Sequence, residues 1–262
     1  MAGGLAGAAA GALAMPNDAR ADAPAPGAAD RALYELRTYE LRNDIQPARA
    51  GAFFEREYAP ALRRAGAAHV AAFTPDVGMP TASVVLLVEY AGAAAHAAAA
   101  DRLAADAAFR AASDTWERGP GLPYVRYDVA LYRAFAGHPR LEVPPGAPGR
   151  PPRLFELRTY EAPNDLGLRN KVTMFNDEEI RIFRDVGMAP VFFGEAVAGT
   201  RLPHLAYLVG FDDLAARAAA WARFVASLDW ARIRGRPGWT DPEAVSSIRA
   251  AFLRPAGYSD VR

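Results

Sequence analysis

The chain has 262 residues, 52% hydrophobic and 23% charged, a globular balance with enough length for two cores of moderate size. Lys+Arg and Asp+Glu both total 30, so the net charge is zero and nothing electrostatic points to nucleic acid or an anionic membrane surface. There is no cysteine, which excludes disulfides, thiolate nucleophiles, iron–sulfur clusters and Cys-based zinc sites.

The chain opens on a run of Ala, Gly and Leu that ends in the small-x-small segment Ala12-Leu13-Ala14, followed by an Ala/Pro/Asp-rich stretch to Asp30. This pattern predicts a signal-peptide remnant or low-complexity tail over residues 1–30, and with it an exported or periplasmic protein, the alternative being cytoplasmic. No stretch reaches the roughly 18 uninterrupted apolar residues of a membrane span, so integral membrane association is not expected.

From there the elements follow in order. Tyr34–Tyr39 alternates as a strand does, and Phe53–Ala65 carries apolar residues at helical spacing before Gly66, a residue suited to a helix C-cap. Short strands follow at His69–Phe73 and Val84–Tyr90, then an alanine-rich helix over Ala93–Thr115 and a strand at Val129–Phe135. Gly137–Pro152 contains six prolines and reads as a semi-extended linker. Beyond it the pattern returns. Strand Phe155–Tyr160, helix Thr173–Val186 with Gly187, strands Pro190–Phe193 and Leu205–Phe211, helix Leu214–Ile233 and strand Ile248–Leu253 repeat the first set.

The two sets share one register. Leu33-Tyr34-Glu35-Leu36-Arg37-Thr38-Tyr39-Glu40 recurs as Leu154-Phe155-Glu156-Leu157-Arg158-Thr159-Tyr160-Glu161, an offset of 121 residues that also carries Asn43-Asp44 onto Asn164-Asp165 and Gly66 onto Gly187. The order β-α-β-β-α-β, twice, predicts two ferredoxin-like α+β units, residues 31–136 and 153–262, joined by the linker at 137–152.

The Glu-Leu-Arg-Thr-Tyr-Glu strand that opens each copy resembles the signature of the NIPSNAP family. So do Asn176–Arg184, Gly187-Met188, Pro190–Glu195, Leu202–Tyr207, Phe211-Asp212-Asp213 with Trp221, and Phe252–Pro255. The likeness is to tandem bacterial members, runs over about residues 33–258, and is clearer in the second copy. Copy one departs from it, with His96–Ala108 nearly all alanine and nothing in the place of Trp221. The resemblance implies a dimeric α+β barrel, two ferredoxin-like sheets packed sheet to sheet as a pseudo-dimer within one chain. It brings no agreed catalytic residues, and relatives on this barrel include cofactor-independent monooxygenases and haem-degrading enzymes, so the fold alone does not assign chemistry.

Strand alternation separates Tyr34, Leu36 and Thr38, expected under the helices, from Glu35, Arg37 and Tyr39, expected in the barrel interior with their counterparts Glu156, Arg158 and Tyr160. Two readings of that polar face stand: a salt-bridge network registering the two halves, or a pocket for a small carboxylate or phenol-like ligand. His204, near Tyr207, is the best candidate among four histidines for acid–base chemistry or haem contact; His96 and His138 are expected to be solvated, and His69 begins a strand. Asn176, Glu178 and Glu179 are expected in a helix first turn or early second turn, and Trp221, Phe224 and Trp230 in a core. No metal-ligand spacing and no cofactor motif is present, so neither a metal nor a cofactor is expected. The leading expectation is a protein that binds a small-molecule ligand or a partner, self-association being left open. The rivals are a cofactor-independent or haem-dependent oxygenase using His204, Tyr207, Arg158 and Tyr160, and a structural protein assembling through sheet edges.

Overall fold

The structure is a computed structural model that describes residues 31–80, 82–146 and 151–262; the expected leader at 1–30 lies outside them. Copy one comprises β1 (Leu33–Glu40), α1 (Gln46–Phe53), α2 (Ala59–Arg64), β2 (His69–Val77), β3 (Ser83–Tyr90), α3 (Ala93–Ala105), α4 (Ala107–Glu117) and β4 (Arg126–Ala134). Copy two comprises β5 (Leu154–Glu161), α5 (Asp165–Met174), α6 (Ile180–Asp185), β6 (Ala189–Ala198), β7 (His204–Phe211), α7 (Leu214–Ala226), α8 (Leu228–Ile233), α9 (Asp241–Ala244) and β8 (Ser247–Pro255). The offset of 121 carries β1, α2, β3, α3 and β4 onto β5, α6, β7, α7 and β8 without a gap.

Among the described residues, eight strands form one closed antiparallel barrel in the order β1-β3-β2-β8-β5-β7-β6-β4. Each copy supplies a four-stranded sheet, and the seams are the pairings β2·β8 and β4·β6. Closure comes from β2 and β6 being longer than their apolar runs. Beyond Phe73, Thr74, Pro75 and Val77 pair with β8, and Gly194–Ala198 pairs with β4, through residues whose pattern does not mark them as strand. An edge left with unpaired backbone groups is thereby removed from both sheets.

Three cores result. The lumen is filled by side chains of both copies, among them Tyr34, Phe73, Phe155, Leu157, Phe192 and Leu208. Each sheet buries its outer face against its own helices, around Phe54, Leu62 and Leu86 in copy one and Phe175, Phe183 and Tyr207 in copy two. Gly66 and Gly187 end their helices at φ +105° and +82°, as C-cap residues do. Arg102 and Arg223, at matching positions, donate to the carbonyls of Ala65 and Val186 just before those glycines.

The helix following β1 or β5 starts earlier than its apolar spacing predicts and contains a single π-helical turn, at Phe54–Tyr58 and again at Phe175–Glu179. Glu179 therefore sits in mid-helix, past the first and second turns. The described part of the linker packs against the barrel: His138 and Leu141 are buried, and Glu142 N donates to the Val191 carbonyl. His138 is thus a core residue, bonded through Nε2 to the Val191 carbonyl at 3.1 Å, and not solvated.

Candidate functional site

The polar face of β1 and β5 points outward to the helices, the reverse of the sequence expectation. Tyr34 and Leu36, with Phe155 and Leu157, face the lumen, whereas Tyr39 and Tyr160 belong to the sheet–helix cores. The reason is geometric. The lumen of an eight-stranded barrel is closed on all sides and only just wide enough to be filled by side chains, so it takes the apolar set. Glu and Arg on the other face meet partners presented by a helix.

In copy two that layer is closely packed. Glu156 accepts from Arg158 Nη1 (2.8 Å), Arg217 Nε and Nη2 (2.9 Å each) and Trp221 Nε1 (2.9 Å). Burial raises its carboxyl pKa, and these hydrogen bonds more than offset that, holding it below the usual carboxylate value. Arg158 Nε donates to Tyr160 Oη at 3.3 Å, and Tyr160 Oη lies 2.9 Å from Tyr207 Oη. Deeper in, Lys171 and Glu179 form a buried pair at 3.2 Å, the ammonium ringed by Tyr160, Phe175 and Trp230. Burial pushes the Glu179 carboxyl up against the opposing pull of Lys171. Trp221 and Phe224 pack over Phe183, and Trp230 over Phe224.

Copy one carries the same frame with different filling. Arg37 Nε is bonded to Glu35, and Arg37 Nη1 lies 3.5 Å from Tyr39 Oη. His96, at the position of Arg217, places Nε2 2.8 Å from Glu35 Oε2, so it is a partner of the polar face and not a solvated residue. Ala100 and Leu103 stand where copy two has Trp221 and Phe224, and Tyr58 where it has Glu179. Two cavities of about 210 Å³ each open here, and Arg37, Tyr58 and Leu103 line both. One runs toward Tyr39, Trp116 and Tyr127; the other is bounded by Glu35, Tyr90, His96 and Ala100. Burial drives the phenols of Tyr58 and Tyr90 well above their ordinary pKa, so both remain neutral hydroxyls.

His204 belongs to a different place. It faces the lumen, where Nε2 lies 3.0 Å from Tyr132 Oη and Nδ1 3.2 Å from the Arg201 carbonyl. Burial lowers its pKa and keeps the ring neutral, with Nδ1 donating and Nε2 accepting from the phenol. Tyr207, Arg158 and Tyr160 lie on the opposite face of the sheet, so the four residues expected to act together do not form one site. Glu195 pairs with Arg133 at 2.9 Å across the β4·β6 seam.

No motif marks Ala100, Leu103, Tyr58 and His96, which line the cavities of copy one; the repeat does, since the offset sets Ala100 at the position of Trp221 and His96 at that of Arg217. Among the described residues no group of three or more His, Asp or Glu side chains could hold a metal ion, and no helix is long and apolar enough to cross a membrane.

Two βαββαβ units closed into an eight-stranded barrel, with clefts between sheet and helices, define a tandem α+β barrel protein. The chain belongs to the NIPSNAP family, whose model matches residues 34–120 and 155–260. Among solved structures it is similar to a Lactobacillus acidophilus NCFM protein provisionally described as a monooxygenase, with 9% identity, TM-score 0.57, and coverage of 87% of this chain and 97% of that one. It is also similar to a NIPSNAP family protein of unknown function from Agrobacterium tumefaciens C58 (22% identity, TM-score 0.37, 42% and 94% covered). A third is a NIPSNAP-like domain protein from Burkholderia xenovorans (24% identity, TM-score 0.37, 41% and 88% covered). At 9% identity the likeness to the Lactobacillus protein shows the fold alone. No protein of curated function matches the chain.

Proposed function

We propose that the protein binds a small, largely apolar molecule in the sheet–helix cleft of copy one, while copy two serves as the filled half that closes the barrel. The observation that carries this is the contrast at matched positions. Trp221, Phe224 and Trp230 occupy the layer in copy two, and Ala100, Leu103 and Phe109 leave the two adjoining cavities in copy one. A concave lining of aromatic and aliphatic side chains with a few convergent polar groups is the usual form of a small-molecule site. The π-helical turn that brings Tyr58 into both cavities is a device often found at such sites.

The test is a thermal-shift screen of small aromatic compounds on the parent and on Leu103→Trp, which fills the junction of the two cavities. Binders should raise the melting temperature of the parent and lose that effect in the variant. A screen without binders, or binders indifferent to Leu103→Trp, would overturn the reading.

A further inference from the structure

The two copies hold the same carboxylate in the same place and complete its shell differently. Glu156 accepts four hydrogen bonds, two on each oxygen, and one on Oε2 comes from the indole N–H of Trp221. Glu35 accepts from Arg37 on Oε1 and has the His96 ring at Oε2. A carboxylate offers about four lone-pair sites, so Glu35 has acceptor capacity that Glu156 has used. The Trp221 ring also lies beneath the Arg158 guanidinium, 4.8 Å from carbon to ring centroid. Ala100, at the Trp221 position, provides neither ring nor N–H, and it borders the cavity that Glu35, Arg37 and His96 also line.

We propose that this cavity takes a planar, uncharged heteroaromatic ring bearing a ring N–H, of about the size of indole. The ligand would do for Glu35 and Arg37 what Trp221 does for Glu156 and Arg158. Its N–H donates to Glu35 Oε2, and its face lies against the Arg37 guanidinium, where a cation favours a ring quadrupole. Leu62, Leu103 and Leu131 supply the apolar remainder of the wall. Charge narrows the class further. Arg37 is already paired with Glu35, so a ligand carboxylate would face an occupied cation and a like charge, and a ligand cation would meet Arg37. The size agrees as well, because about 210 Å³ falls below the roughly 300–1,000 Å³ of sites for larger ligands.

This inference rests on copy one's cleft being the binding site, and the experiment separates the two. Calorimetric titrations use the full chain with indole and with N-methylindole, on the parent, on Ala100→Trp and on the less demanding Ala100→Leu. Indole should bind the parent at one site, and N-methylindole at least about tenfold more weakly, because it offers no N–H and sets a methyl group against the remaining acceptor site of Glu35 Oε2. Either Ala100 variant should lose indole binding. Trp221→Ala should open the matching cavity in copy two, so its lowered melting temperature should rise again with indole and less with N-methylindole. Equal binding of both compounds, lost in Ala100→Leu, would overturn the N–H assignment and leave the cleft reading standing. Absence of saturable indole binding to the parent would overturn the inference, whatever the broader screen with Leu103→Trp returns.

Discussion

Glu156 shows how a buried charge is held. Its side chain is fully buried, and three residues from two elements donate to it, so loss of one still leaves the others. Breaking a buried pair by removing one partner costs about 3–5 kcal/mol where it strands a charge. Arg158→Ala should fall below that range, because the bidentate Arg217 remains. The carboxylate itself gives the cleaner test. Its folded pKa lies below the unfolded value of about 4.3, so its stabilising contribution is complete above that pH and fades as pH falls through the folded value. Glu156→Gln should therefore lower the melting temperature most near neutrality, and the gap from the parent should narrow from pH 5 toward pH 3. A gap that stays constant across that range would show that the ionised form contributes nothing.

At the scale of elements, the strands tie the copies together through small residues. A Cβ on Gly194 would lie 2.6 Å from Tyr132 Cβ across the β4·β6 seam, and Tyr132 is in turn bonded to His204. Gly194→Ala should overpack this seam and cost about 1–3 kcal/mol in denaturant melts, while Tyr132→Ala in the same background should recover part of the loss. Neutral behaviour of Gly194→Ala would mean the seam yields freely. Element type and order were legible because period and turn residues are local signals: Gly66, Gly187 and the alternation of β1 and β5 lie where the reading set them. Which face of β1 turns inward was not, since both faces of a barrel strand are covered and alternation distinguishes them only by content. The tails of β2 and β6 were equally opaque. Thr74 and Pro75 are strand because of what they pair with, Arg254 and Leu253 of β8. The cleft was half legible: the missing counterpart of Trp221 was visible, but that Ala100 faces Glu35 and Arg37 required the packing of α3 on the sheet.

At the scale of the whole molecule, the barrel closes within one chain and needs no second copy to do so. The lumen mixes the two halves side chain by side chain: the rings of Tyr34 and Phe192 meet at 5.2 Å, and those of Phe73 and Phe155 at 5.3 Å. Separating the copies would expose that core and leave β2, β4, β6 and β8 as open edges. The described linker adds to this coupling, since Leu141 N donates to the buried Glu89 carboxylate while Leu141 packs in the lumen core. The two units, although each reads as a complete βαββαβ fold, should therefore unfold as one. Calorimetry should show a single transition with the calorimetric enthalpy equal to the van't Hoff value. Leu62→Ala in the helix layer of copy one and Phe183→Ala at the same position in copy two should each shift that whole transition downward, by about 2–5 kcal/mol of stability. Two transitions, with each substitution moving only one, would show that the halves are independent domains and that the seams contribute little.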